Sequence, residues 1–225
     1  MEKISVSKNQ QQWEKFAKKD ALFYIDTNAK NPGQFWKKGE NNFQAYILPI
    51  LKKYHIKRNV GIDFGCGIGR HTFPLAGYFQ MMYGVDVSDR MLKQARAVAH
   101  EKNIANVQFI LNAVFFSDTK PVDFIYCVNV FQHIENIEQI KSILDSFSRL
   151  LHGFAYVQFD TRSQNLLYRL KNKMPDFLLP RSQRRGIRRI RRVAKEIENI
   201  IKKMGFAIIE QRQPNSEYHF FLLQK

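Results

Sequence analysis

Apolar and polar positions divide the 225-residue chain into segments of two different periods. Residues 9 to 20 carry Trp13, Phe16 and Ala17 at helical spacing, which predicts a short amphipathic helix. A segment with Pro32 and Gly33 follows and reads as a loop holding Phe35 and Trp36. Phe43, Tyr46, Ile47, Ile50, Leu51 and Tyr54 then form the stripe of a further helix. From residue 59 the pattern changes. Apolar runs at 59–64, 81–86, 107–111, 122–128 and 153–160 have strand length, and amphipathic stretches at 70–79, 89–101 and 136–151 separate most of them. That alternation predicts a parallel sheet covered on both faces. Ser88 is placed to cap the 89–101 helix, whereas 113–121 is too short for a strong one.

Beyond the last of these runs, residues 162–186 form a long connection in which Pro175 and Pro180 prevent one continuous helix. Connections of that length usually serve function or move. From 187 the positions Ile187, Ile190, Val193, Ala194, Ile197, Ile200, Ile201 and Met204 keep helical spacing up to Gly205, which reads as the stop. Strands near 206–212 and 217–223, joined through Pro214 and Asn215, close the chain as a hairpin. The length suits one domain, 1–225, made of N-terminal helices and a lid (1–56), a core (57–160), a basic connection (161–186) and a last helix with the hairpin (187–225).

The first core strand runs Val60-Gly-Ile-Asp-Phe and ends in Gly65, Gly67 and Gly69, spaced two apart. Glycine lets a backbone turn sharply and lets a ligand lie against it. Strand, glycine loop and helix open a nucleotide-binding βαβ unit, and about twenty residues on, Asp86 ends the second strand where a ribose would be bound. Position 70 is Arg, not the third small residue that a pyrophosphate-binding loop uses, which turns the loop away from dinucleotides.

Asp63 to Arg70, followed by Gly84-Val-Asp-Val-Ser, resembles the first two motifs of class I S-adenosylmethionine-dependent methyltransferases. Asn106 to Ala113, Asp123 to Val128 and Val130 to Ile134 resemble the later ones in order. The resemblance implies a Rossmann-like, doubly wound α/β fold with a seven-stranded sheet, mostly parallel with an antiparallel last strand. It implies S-adenosyl-L-methionine as cofactor. Gly65, Cys66 and Gly67 would pack on its methionine part, which Asp63 would also approach. Asp86 would take the ribose, with Val87, Met91, Asn112 and Ala113 at the adenine and Val128 after the fourth strand. Asn112 stands where many relatives carry Asp; its amide oxygen still accepts a hydrogen bond but brings no charge. The resemblance also puts Tyr24 and Trp36 in a lid over the acceptor, with packing on the sheet edge as the alternative.

His133 follows the fourth strand at the carboxyl edge, where open α/β sheets bind ligands. A hydroxyl acceptor must lose a proton, and His does that near neutral pH, so His133 is a candidate base or an acceptor-orienting residue. A His that only bonds a loop or the cofactor is the alternative. Asp160, ending the fifth strand, is the second catalytic candidate.

Charge widens the reading. The formal net charge is +16, and Arg162 to Lys203 holds fourteen Lys and Arg against three acids. Arg181, Arg184, Arg185, Arg188, Arg189, Arg191 and Arg192 fit a solvated helix face, an anionic membrane surface helped by Phe177, Leu178 and Leu179, or RNA phosphates. No apolar run reaches the roughly 18 residues that span a bilayer, and no signal peptide is read. Cys66 and Cys127 suggest neither a disulfide framework nor a metal site, so a cytoplasmic protein, peripheral at the inner membrane face if the basic segment binds lipid, is expected. The reading that results is O-methylation of a small-molecule or glycan acceptor, with an RNA methyltransferase and an inactive binding module as alternatives. The sequence lacks the Asn-Pro-Pro-aromatic tetrapeptide of base-amino methyltransferases, having Asn-Val-Phe-Gln at 129–132.

Overall fold

The computed structural model describes residues 8–115, 121–180, 184 and 187–225. Seven strands form one sheet: β1 (Val60–Phe64), β2 (Met81–Asp86), β3 (Val107–Leu111), β4 (Val122–Cys127), β5 (Leu151–Phe159), β6 (Ala207–Arg212) and β7 (His219–Gln224). Their order is β3-β2-β1-β4-β5-β7-β6, and β7 runs antiparallel to both β5 and β6. The doubly wound sheet with an antiparallel last strand is the architecture expected above. Every strand lies within two residues of its predicted place because short, β-branched and aromatic runs have few alternatives once both faces are buried.

The chain folds as two compact units that divide after Phe124. In the first, α1 (Lys8–Ile25) is two helices meeting at Asp20, whose extended backbone (φ −173°) breaks the ladder while its carboxylate accepts from the Phe23 amide. α2 (Pro32–Asn42) corrects the loop expected around Phe35 and Trp36. Asn31 caps it by accepting from Gln34 N, and Pro32 occupies the first turn, where its missing N–H costs nothing. α2 runs through a π turn, Phe43–Ile47, into α3 (Leu48–Lys53). Pro49 in that first turn has no N–H to give the preceding turn, and the Leu48 amide reaches back five residues to Phe43 O. α4 is only Thr72–Ala76, shorter than the predicted 70–79, because residues 65–71 are spent on the loop. α5 (Asp89–Glu101) starts where Ser88 Oγ accepts from Met91 N, as the sequence indicates. α6 (Asn112–Phe115) is a single turn.

In the second unit, α7 (Ile137–Leu150) precedes β5, and the connection after β5 contains α8 (Leu166–Lys173) and a 3-10 turn at Asp176–Leu178. α9 is Ala194–Lys203 and stops at Gly205, φ +83°. The helix predicted from residue 187 is thus corrected: residues 187–193 lie outside it. The Ile190 amide donates to Gln132 O and the Arg192 amide to Asp160 O, and Arg191 bridges to Asp160 in parallel. Backbone partners in a 3-10 turn and at the end of β5 outcompete the helical spacing of the isoleucines. Asn215, φ +59°, turns the β6–β7 hairpin. No helix among the described residues is long and apolar enough to cross a membrane.

Candidate functional site

In the first unit the carboxyl ends of β1, β2 and β3 come together by register. Asp63 pairs with Gly84, and Asp86 with Leu111, so Asn112 lies one residue beyond the Asp86 edge. Gly65, Gly67 and Gly69 all have positive φ (76°, 56° and 93°), a backbone that other residues rarely adopt. The loop they make is tied down at both sides. Gly65 N and Cys66 N donate to Val85 O at 2.7 and 3.1 Å, and Gly67 N donates to Asp86 Oδ2 at 2.9 Å. The other Asp86 oxygen accepts from Ser88 N at 2.9 Å. The Val87 amide also donates to this carboxylate, and its roughly four acceptor sites leave room for an outside donor. Burial pushes the Asp86 carboxyl up, against the lowering by those amides.

Asp63 is almost fully buried and accepts from Thr72 Oγ1 at 2.6 Å. Burial, helped by the Asp86 charge and opposed by Thr72 and Arg70, pushes its carboxyl up to about 7. Asn112 Oδ1 is buried and has no hydrogen-bond partner among the described residues. A buried acceptor in that state costs about 1–3 kcal/mol, so the atom is suited to a donor from outside the chain.

The other residues flagged for the cofactor and acceptor are distributed around this cradle. Cys66 is buried, with its thiol pushed well up by burial and the two nearby carboxylates. Val87 is half-buried, and Ala113 is exposed. Met91 packs in a cluster with Ala17, Ala21, Phe35 and Ile68. Tyr24 is buried, its ring stacked on Phe16 at 3.9 Å. Trp36 is half-buried against Phe73 and Phe35, with the Lys102 ammonium 5.5 Å from its ring.

One element of the cradle escapes sequence reasoning. Arg70 is buried and donates to Asp26 Oδ2 at 2.6 Å, and Lys38 joins the same oxygen at 2.7 Å. Arg70 also lies over the Phe35 ring, and a Cβ on Gly39 would strike the Arg70 carbonyl, so α2 requires glycine there. Likewise a Cβ on Gly67 would meet Ile25 Cδ1 at 2.8 Å. The N-terminal segment is therefore built against the glycine loop. The neighbouring His71 is buried, and burial together with Arg70 and Lys38 pushes its imidazole well down.

The second unit carries the remaining candidates. Val128, half-buried, leads to Asn129, which has φ +64° and donates its amide to Gln158 Oε1 at 2.9 Å. Asn129 Oδ1 accepts from Gln132 Nε2 at 3.1 Å and from Arg189 at 3.3 Å. His133 closes the 3-10 turn Phe131–His133, and its Nε2 lies 3.4 Å from Gln132 Nε2. An amide nitrogen only donates, which makes that imidazole nitrogen the unprotonated, accepting one. Asp160 is fully buried. It is gripped by Arg162 at both oxygens (2.6 and 3.1 Å), and Arg162 also reaches Glu217 at 3.1 Å. Nothing in the spacing of these residues announces the Asn129–Gln132–Gln158–Arg189 network; the left-handed Asn129 that centres it is visible only in the backbone.

The arginine run serves this unit internally. Arg188 donates to Lys171 O, Arg189 to Glu217 O and the Tyr218 hydroxyl, Arg191 to Ser163 O, and Arg192 to Ile134 O and Glu135 O. Arg184 is exposed, and Arg181 and Arg185 lie outside the described residues. Among the described residues no group of three or more His, Cys, Asp or Glu is placed to hold a metal.

Comparison with known proteins agrees with this geometry. Residues 62–153 match the family described as a methyltransferase domain. A malonyl-[acyl-carrier protein] O-methyltransferase of Coxiella burnetii is 30% identical over 132 residues, 56% of this chain and 50% of that protein. A 23S rRNA (uracil(1939)-C(5))-methyltransferase of Francisella tularensis is 30% identical over 121 residues, covering 51% and 23%. The chain thus spans half the length of the first relative or less. Among solved structures, magnesium protoporphyrin IX methyltransferase from Synechocystis with bound S-adenosylhomocysteine superposes with TM-score 0.66 at 18% identity, over 98% of this chain and 95% of that one. Sheet order and the matched segment agree: residues 62–153 are similar to methyltransferase domains, and the fold is that of the solved methyltransferase structure.

Proposed function

We propose that the protein is a methyltransferase that carries a methyl group from S-adenosyl-L-methionine to an oxygen of a small-molecule or glycan acceptor, as a single domain. The observation that carries this reading is the cradle at β1–β3: Asp86 held open by the Gly67 and Ser88 amides beside the orphaned Asn112 oxygen. Asp86 takes the ribose hydroxyls with its remaining lone pairs, and Asn112 Oδ1 takes the adenine amino group. Val87, Met91, Ala113 and Val128 border the base. The loop from Gly65 to Gly67 lies under the methionine part, and Asp63 faces its ammonium. When bound, the cofactor supplies a sulfonium methyl, an electrophile needing no further activation.

The chain's task is then alignment and proton removal. His133 Nε2, the unprotonated ring nitrogen, takes the acceptor hydroxyl proton when the acceptor hydroxyl replaces the Gln132 amide on its lone pair. Asp160 acts through Arg162, which it orients, and Tyr24 and Trp36 border the acceptor. An RNA acceptor is less well supported. Arg188, Arg189, Arg191 and Arg192 direct donors to carbonyls of their own unit, whereas phosphate tracking needs them free. An inactive module has no use for intact acids at both strand ends.

Calorimetric titration with S-adenosyl-L-methionine tests the proposal. Micromolar binding that Asp86→Ala weakens by about a hundredfold is expected, two charge-assisted hydrogen bonds at about 1.5 kcal/mol each. Absence of binding below millimolar sinks it. His133→Ala should keep cofactor affinity and lose turnover; full turnover would remove His133 from the mechanism.

A further inference from the structure

The feature least explained by methyl transfer is α8 with the 3-10 turn after it. None of the eight residues of α8 is buried. Leu166, Leu167 and Leu170 are 72%, 60% and 54% exposed, and in the following turn Phe177 and Leu178 are 78% and 57% exposed. A helix of eight residues gains nothing from burying its own apolar face here, and helices of that length are marginal in water without packing. The two segments are nevertheless fixed from the other side. Asn165 caps α8 by accepting from Tyr168 N. Tyr168 accepts the Arg191 amide at 3.0 Å, and its ring carries the Arg191 guanidinium at 4.4 Å. Arg188 holds the Lys171 carbonyl, and Arg184 holds the carbonyl of the buried Leu179. The arginine run thus braces a platform and presents its leucines outward.

Angular placement identifies what the platform fits. At about 100° per residue, Leu166, Leu170 and Leu167 fall near 0°, 40° and 100°, and Tyr168 and Asn172 lie opposite. Lys171 flanks the leucines near 140°, and Lys173 and Arg169 flank them near 340° and 300°. Between Arg162 and Lys195 the sequence has one acid, Asp176. An apolar stripe with cationic residues on both flanks matches an interface whose interior is hydrocarbon and whose rim is anionic. We infer that α8 and the Phe177–Leu178 turn form a docking surface for anionic phospholipid membrane, lying in the interface plane.

Flotation of the full chain with vesicles tests this without methyl donor, so the result is separate from that of the proposed reaction. Vesicles of phosphatidylglycerol and phosphatidylcholine in equal parts should carry the protein, and phosphatidylcholine alone should carry about tenfold less. Raising salt should release it. Leu167→Ser with Phe177→Ser should lose binding about tenfold or more, and Lys171→Gln with Lys173→Gln should lose it on anionic vesicles only. The melting temperature of the double serine variant should equal that of the parent. The inference is overturned if the parent stays soluble with both vesicles, if the serine variant floats like the parent, or if that variant melts lower, since the side chains would then belong to the fold. A concentration-dependent dimer that the serine variant abolishes, without vesicle binding, would assign the surface to a second copy instead.

Discussion

Asp63→Asn should stabilise the ligand-free protein progressively as pH rises. The native carboxyl titrates at about 7, raised from its ordinary 3.8 chiefly by burial. A group raised in the folded state contributes stability that is complete below its unfolded value and is lost as pH climbs through the folded one. The full interval is worth about 4 kcal/mol, at about 1.4 kcal/mol per pH unit. Roughly 2.5 kcal/mol of it falls between pH 5 and pH 8, where the unfolded carboxyl is already ionised and the native one is losing its proton. Asparagine carries no proton to lose and still accepts from Thr72 Oγ1, so the packing is kept. Urea unfolding of both proteins at pH 5, 6, 7 and 8 reads the effect. The free-energy difference between variant and parent should move by roughly 2.5 kcal/mol in the variant's favour across that range. A difference that stays constant with pH would refute the buried, proton-retaining Asp63.

The same group makes donor binding pH-dependent: affinity for S-adenosyl-L-methionine should rise up to about tenfold per pH unit until about pH 7 and then level, with proton release in calorimetry, and Asp63→Asn should flatten the profile. Arg70→Met should cost about 3 kcal/mol in denaturant unfolding, because Asp26 is left buried with only Lys38; a loss under 1 kcal/mol would mean the pair is solvated. Arg192→Lys gives up the paired contacts to Ile134 O and Glu135 O, next to His133, and should lower kcat about tenfold with cofactor affinity unchanged; an unaltered kcat would release Arg192 from that role.

What the sequence disclosed follows from how local the determinant is. The strands, the glycine loop and the Ser88 cap are written in runs of a few residues. Asn215 likewise carries its own turn preference and adopts φ +59°. Pro32 and Gly33 misled, since the same residues that break a helix also start one when Asn31 precedes them. Ile187, Ile190 and Val193 misled for a different reason. Their spacing is helical, yet the amides of Ile190 and Arg192 find carbonyls at Gln132, in a 3-10 turn, and at Asp160, just past β5, that no local pattern reveals. Asp26 and Arg70 were invisible as a pair because nothing in either neighbourhood refers to the other. The basic character of the connection was plain, but its use was not: most of those arginines brace carbonyls, and the outward face belongs to leucines.

The Asp26–Arg70 bond spans 44 residues. Closing a chain segment of that length carries an entropic cost before the contact returns anything, so the bond forms late relative to the strand pairs beneath it. It is also a natural place for a sub-global opening, in which the end of α1 lifts while β1 and β2 stay paired. Each such opening uncovers Gly67, which Ile25 otherwise covers. If the methyl donor lies on this loop as proposed, the rate at which it enters and leaves is set by the lifetime of the Asp26–Arg70 ion pair, and a chain with the same loop but a different residue at position 26 would share the chemistry and differ in tempo.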